Sequence, residues 1–179
     1  MRTVTFNNMT FREFLTPKDI AGIVESVAKR INADYEGKNP LFICALNGAF
    51  IYAADLFRRI TPPAEITFVR LKSYDGTSST GEIELITPLY EPVQGRDVII
   101  IEDIVESGLT MHYFKQTLLE AGAASVAVTS LVFKPASLVY EDARPEYIGM
   151  EIPQAFIIGY GLDIDEQARN LDAIYQLQE

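Results

Sequence analysis

The chain reads as an α/β protein built on a parallel sheet flanked by helices, and three runs carry that reading. Val98, Ile99, Ile100 and Ile101 form an unbroken β-branched stretch, the pattern of a strand buried on both faces. Leu41–Leu46 (LFICAL) and Ser125–Phe133 (SVAVTSLVF) repeat it. Helical stripes lie between these runs, and alternation of strand and helix is what crossover-connected parallel strands require.

In chain order, residues 3–15 mix polar positions with Phe6, Phe11 and Phe14 and predict a peripheral strand pair. Thr16-Pro17 opens a helix, with a hydroxyl N-cap, proline at the first helical position and Asp19 in the first turn. Ile20, Ile23, Val24, Val27, Ala28 and Ile31 give its apolar stripe, and Gly37 to Pro40 ends the unit. After the strand Leu41–Leu46 come Asn47-Gly48-Ala49 and a helical stretch through Arg59, with Phe50, Ala53, Ala54 and Phe57 on one face. Glu65–Leu71 reads as a strand and Glu82–Thr87 as its partner. The segment between them, KSYDGTSSTG, has Tyr74 as its only large side chain and reads by itself as a solvated hairpin loop. Glu102 and Asp103 fall where the strand through Ile101 is expected to end. Glu106, Ser107, Gly108 and Thr110 then make a polar turn before a helix over Leu109–Leu119. No repeat, low-complexity tract or linker divides the chain, which predicts one domain over residues 1–179.

Composition narrows the classes of partner. The 179 residues are 48% hydrophobic and 22% charged, enough for a substantial core. A net charge of -10, with no Lys/Arg cluster, disfavours nucleic acid and acidic membranes. Cys44 is the only cysteine, so no internal disulfide forms, and its apolar surroundings predict burial. No apolar stretch reaches transmembrane length and the first residues lack a signal-peptide core, which predicts a cytoplasmic protein.

The chemistry concentrates in Asp97–Thr110, DVIIIEDIVESGLT. Ligands of open α/β sheets bind beyond the carboxyl ends of strands, where a loop feeds a helix N-terminus. Free N–H groups there favour an anion, and Gly108 permits close backbone approach to a phosphate. Paired carboxylates beside a phosphate cradle suit a phosphorylated sugar, whose ring hydroxyls they accept hydrogen bonds from.

This stretch resembles the phosphoribosyl-diphosphate signature of type I phosphoribosyltransferases, in its apolar residues, paired acids, two further apolar residues and acid-led, hydroxyl-rich glycine turn. LNGAFIYAADL, containing Asn47 and Gly48, is similar to the first segment of the hypoxanthine-guanine members. There the turn carries a non-proline cis peptide and its backbone contacts diphosphate. That family usually has lysine where Asn47 stands. Ser73 and Tyr74 match the Ser-Tyr pair of its mobile catalytic loop. Lys134 matches the lysine that reads the 6-oxo group of the purine. In EYIGMEIPQAFIIGYGLDIDEQARNL, Phe156 matches the aromatic that stacks on the base and Ile157 the residue whose backbone meets the base edge. Asp163 matches the metal-linked acid lining the base pocket, and Arg169 the arginine that binds diphosphate. The resemblance spans residues 41–171 in four ordered segments.

The resemblance implies the type I phosphoribosyltransferase fold, with a small hood from the terminal segments. It implies transfer of a 5-phosphoribosyl group from phosphoribosyl diphosphate to hypoxanthine or guanine, with magnesium held by Glu102, Asp103 and Asp163. By the same resemblance Glu102 and Asp103 are expected to hold the ribose hydroxyls and to stay ionised. The backbone from Glu106 through Ser107, Gly108 and Leu109 to Thr110, with the Ser107 and Thr110 hydroxyls, is expected to grip the 5′-phosphate. Glu106 stands where the family usually has the aspartate that serves as general base at purine N7. A homodimer or homotetramer is implied as well. A transferase for another base such as xanthine, and an RNA-binding regulator on the same fold, are the alternative readings. His112 matches no family role.

Overall fold

Alternating side-chain direction along one central strand splits the core into two layers and sets the architecture of the computed structural model, which describes residues 2–73, 83–87 and 89–178. In chain order the elements are β1 (Thr3–Phe6), β2 (Met9–Leu15), α1 (Pro17–Asp34), β3 (Leu41–Leu46), α2 (Phe50–Phe57), β4 (Glu65–Ser73) and β5 (Ile83–Leu85). They continue with β6 (Asp97–Val105), α3 (Leu109–Glu120), β7 (Ser125–Phe133), β8 (Tyr147–Glu151), β9 (Ile157–Ile158) and β10 (Ile174–Leu177). The main sheet has the order β5-β4-β3-β6-β7-β8; β5 pairs antiparallel to β4, and the other neighbours pair in parallel.

Val98 and Ile100 pack with Phe114 and Leu118 of α3, whereas Ile99 and Ile101 pack with residues of α1 and α2. All four are fully buried, as the β-branched run predicts for a strand covered on both faces. Cys44 is buried beside them, and burial pushes its thiol up to about 12. Helix α1 begins with a capping box: Asp19 N donates to Thr16 Oγ1 at 3.2 Å and Thr16 N to Asp19 Oδ2 at 3.0 Å. The terminal segments form a second, antiparallel sheet in the order β1-β2-β10-β9, the hood, and Asn7 and Asn8 take positive φ in its first hairpin.

Several boundaries differ from the sequence expectation: β4 runs on to Ser73 and β5 covers only Ile83–Leu85. Helix α2 stops at Phe57, short of Arg59. Strand β6 does not end at Glu102 and Asp103 but continues to Val105, because β7 goes on pairing with it as far as Val105↔Phe133. On its other side, pairing with β3 stops at Cys44↔Ile101. The crossovers through α2 and α3 run to opposite sides of the β3–β6 pair, so a crevice opens there, and Glu102 and Asp103 are the first residues past the last β3 partner. Among the described residues no helix is long and apolar enough to cross a membrane.

Candidate active site

The crevice is lined first by acids. Asp103 N donates to Glu102 Oε1 at 3.0 Å and Ile104 N to Asp103 Oδ1 at 2.8 Å. Burial, then the neighbouring Asp103 charge, hold the Glu102 carboxyl well above the ordinary glutamate value. Burial raises Asp103 as well, against the backbone donor of Ile104 and the field of Arg169. The expectation that both acids stay ionised therefore meets a cost: among the described residues Arg169 favours the charged Asp103, and burial still outweighs it.

Across the crevice, the turn after β3 holds Asp103 in place. A Cβ on Gly48 would sit 1.7 Å from Asp103 Oδ2, so only glycine fits. The non-proline cis peptide of this turn is Leu46–Asn47, one bond earlier than Asn47–Gly48. Gly161 (φ +100) packs on the other side of the turn, where a Cβ would lie 2.0 Å from the Gly48 carbonyl oxygen. That contact brings the C-terminal segment to the crevice.

The polar turn at the end of β6 wraps a cavity of about 170 Å³ lined by Glu102, Glu106, Ser107, Gly108, Leu109 and Thr110, among others. Leu109 N donates to Ser107 Oγ at 3.3 Å. The N–H groups of Glu106, Ser107, Gly108 and Thr110 have no backbone acceptor among the described residues, so four donors remain for an anion at the start of α3. Gly108 takes φ +81, and a Cβ there would lie 2.8 Å from Ala143 Cβ. Glycine is thus required by the turn and by packing of the 138–143 segment behind it, where the sequence suggested phosphate approach.

Glu106 and Lys134 meet directly. Lys134 Nζ lies 2.5 Å from Glu106 Oε1; the lysine side chain is 7% exposed and the glutamate 49%, so the pair sits at the mouth of the crevice with its cation inside. Lys134 N donates to Val105 O at 3.0 Å, which fixes the start of this side chain against the end of β6.

The C-terminal residues are placed unevenly. Ile157 is buried in β9 and paired with Gln176. Phe156 is 47% exposed, 5.9 Å from the Phe11 ring, and lines a cavity of about 530 Å³ with Arg12, Phe14 and Gln154 of which Lys134 is not part. The two regions still adjoin, since Ile152 N donates to Phe133 O at 2.9 Å and Gln154 bonds Ser137. Asp163 forms an ion pair with Arg169 Nη2 at 2.9 Å and accepts a hydrogen bond from Glu166 N at 2.9 Å. Arg169 also donates to Gly161 O at 2.8 Å, and its buried Nε has no partner among the described residues. Ser73 ends β4, and Tyr74 lies outside the described residues. Among the described residues no group of three or more His, Cys, Asp or Glu side chains converges as a metal cage.

Sequence reasoning passed over Gly161 and the Tyr160–Asp55 hydrogen bond (2.5 Å) that anchors the same segment to α2. The flanking glycines of GYG were the available signal. Which carbonyl they make room for depends on a contact far away in sequence.

Comparison with known proteins agrees with this geometry. The profile of the phosphoribosyl transferase domain matches residues 12–165. A hypoxanthine-guanine phosphoribosyltransferase of Streptococcus thermophilus is 37% identical over 163 residues, covering 90% of each chain. A hypoxanthine phosphoribosyltransferase structure from Staphylococcus aureus superposes with a TM-score of 0.89 at 34% identity, covering 93% of this chain and 91% of that one. A hypoxanthine-guanine phosphoribosyltransferase from Bacillus anthracis, with HEPES in its active site, gives 0.87 at 32% identity over 93% and 96%. Sequence and structure together make this chain a member of the hypoxanthine-guanine phosphoribosyltransferase family.

Proposed function

We propose that the chain joins hypoxanthine or guanine to the 5-phosphoribosyl group of phosphoribosyl diphosphate, releasing diphosphate and yielding the purine 5′-nucleotide. The observation that carries this reading is the Lys134–Glu106 pair beside the donor-rich loop 106–110. A 6-oxopurine presents an acceptor, O6, next to N7 on one edge. An ammonium and a carboxylate 2.5 Å apart offer that edge a donor and an acceptor side by side. Adenine places an amino donor where the ammonium needs an acceptor, and is rejected.

The loop N–H groups, with the hydroxyls of Ser107 and Thr110, hold the 5′-phosphate. Glu102 and Asp103 accept from the ribose hydroxyls, and their charge favours the oxocarbenium-like sugar formed as the C1–O bond breaks. Glu106 takes the N7 proton as the base bonds to C1. Its extra methylene relative to the family's aspartate gives it the reach to rest on Lys134. Phe156 and the Ile157 backbone orient the base. Hard carboxylate oxygens whose protonation is favoured by burial fit magnesium, which binds through one or two carboxylates plus substrate phosphates. When bound, magnesium neutralises the departing diphosphate. In the free chain Asp163 is held by Arg169 and Glu166 N, and it would be available to the metal if Arg169 turned to the diphosphate. A homodimer or homotetramer and a cytoplasmic location follow from the family likeness alone.

Steady-state turnover with phosphoribosyl diphosphate and magnesium, offering hypoxanthine, guanine, xanthine and adenine in parallel, tests the reading. Turnover of the first two without adenine is expected, together with a kcat loss of at least about 10²-fold in Glu106→Gln. Turnover of adenine, or of xanthine alone, or unchanged kcat in Glu106→Gln, would overturn the corresponding assignment.

A further inference from the structure

We infer that His112 is a positioning residue for the 5′-phosphate: with Asp142 and Tyr140 it locks the segment 134–143 against the back of the loop 106–110. The inference rests on the proposed role of that loop.

The Ser107 carbonyl accepts from Val139 N at 3.0 Å and from Tyr140 N at 3.3 Å, so it is turned outward, toward the segment behind the loop. The only cis bond among the described residues is Leu46–Asn47, so the Ser107–Gly108 peptide is trans. In a planar trans peptide the C=O and N–H point in opposite directions. Holding the Ser107 oxygen outward therefore aims the Gly108 N–H inward, at the cavity, where it has no backbone acceptor among the described residues. The grip on one carbonyl sets the direction of one phosphate donor.

The segment needs its own restraint, because Val139 beside the grip is 70% exposed. His112 supplies it from the first turn of α3. His112 N donates to Gly108 O at 2.8 Å, which fixes the histidine relative to the loop. Its Nδ1 lies 2.7 Å from each Asp142 carboxylate oxygen, and its ring stacks on Tyr140 at 4.5 Å and 28°. Lys115, one turn closer to the helix C-terminus, donates to Asp142 O at 2.9 Å and to Glu146 Oε1 at 2.8 Å. The segment begins at Lys134, whose own N–H is held separately by Val105 O at 3.0 Å, so loss of the lock leaves the base end of the crevice in place.

The experiment compares His112→Ala, Asp142→Ala, the double variant and His112→Asn, which keeps a donor near the Nδ1 position. Each alanine variant is expected to raise KM for phosphoribosyl diphosphate roughly three- to tenfold, the range of one ordinary hydrogen bond. KM for hypoxanthine and the melting temperature should hardly change. The double variant should be no worse than the poorer single, because both remove one contact. His112→Asn should recover most of the loss. Unchanged KM for phosphoribosyl diphosphate in both singles would overturn the inference, as would equal rises in both KM values that follow a fall in melting temperature. Calorimetric binding of phosphoribosyl diphosphate repeats the comparison without turnover, so a wild-type protein that binds but does not react overturns the reaction alone. A wild-type protein that does not bind it overturns both.

Discussion

Replacing Gly48 by alanine puts a methyl group into space already held by the Asp103 carboxylate. The new Cβ would lie 1.7 Å from Oδ2 and 2.6 Å from Cγ. Real contacts at that position begin near 3.0 Å, so the carboxylate must retreat by on the order of 1 Å. Swinging Asp103 away breaks its 2.8 Å bond from Ile104 N, at a net cost of about 1 kcal/mol. Gly48 is not among the positive-φ glycines, so alanine is conformationally allowed and recovers ~0.4–1 kcal/mol by restricting the unfolded chain. The fold should survive, with the melting temperature within a few degrees of wild type. Activity should not survive. A displacement of that size in a substrate-holding acid costs about 10²-fold, so kcat/KM with hypoxanthine should fall by at least that factor. Gly22→Ala is the control: its Cβ meets nothing within 4 Å on an exposed face of α1, so it should leave kinetics unchanged and raise stability by up to ~1 kcal/mol. Kinetics and thermal melts on the same preparations decide. Activity within about threefold of wild type in Gly48→Ala would refute the argument that Asp103 works from its seat against this glycine.

Lys134→Met keeps the length and apolar stem of the side chain while removing the ammonium. Glu106, half exposed, then returns to water, so stability should change by less than ~1 kcal/mol. Loss of the O6 contact should lower kcat/KM for hypoxanthine roughly 10- to 150-fold, read in parallel assays with hypoxanthine and adenine. Glu102→Gln tests the buried acid pair. A carboxyl whose folded pKa is raised binds its proton more tightly when folded. Its stabilisation is complete below the ordinary glutamate value of 4.5 and is lost as pH rises through the raised one. In the free protein Glu102→Gln should therefore melt higher than wild type near neutral pH, with the gain shrinking toward about pH 5, while turnover collapses. Melting curves across that interval, with and without magnesium, check it; a variant that melts lower than wild type at neutral pH would count against the pair being strained.

Most of the fold was legible because its signals are local. The unbroken run through Ile101 required cover on both faces, Thr16-Pro17 fixed a helix start, and Asp97–Thr110 announced strand, acids and anion loop in sequence. The less accurate readings were also local in origin. Glu102 and Asp103 look like the end of a strand because they are polar. Their strand nevertheless continues, since β7 keeps pairing after β3 has diverged. The sequence could not place that divergence, and it is what turns two acids into the wall of a crevice.

Residue identity alone, then, determined the order of elements, the chemistry available and the class of ligand. Backbone propensity and side-chain period are properties of consecutive residues. Tertiary structure alone decided which of those groups face one another: Lys134 against Glu106, Asp103 against Gly48, Gly161 against the Gly48 carbonyl, His112 against Asp142. Each of these contacts joins segments 28 or more residues apart in the chain, as the 28-residue separation of Lys134 and Glu106 illustrates. Their distances come from how the sheet and its crossovers pack in three dimensions, and no local pattern records that.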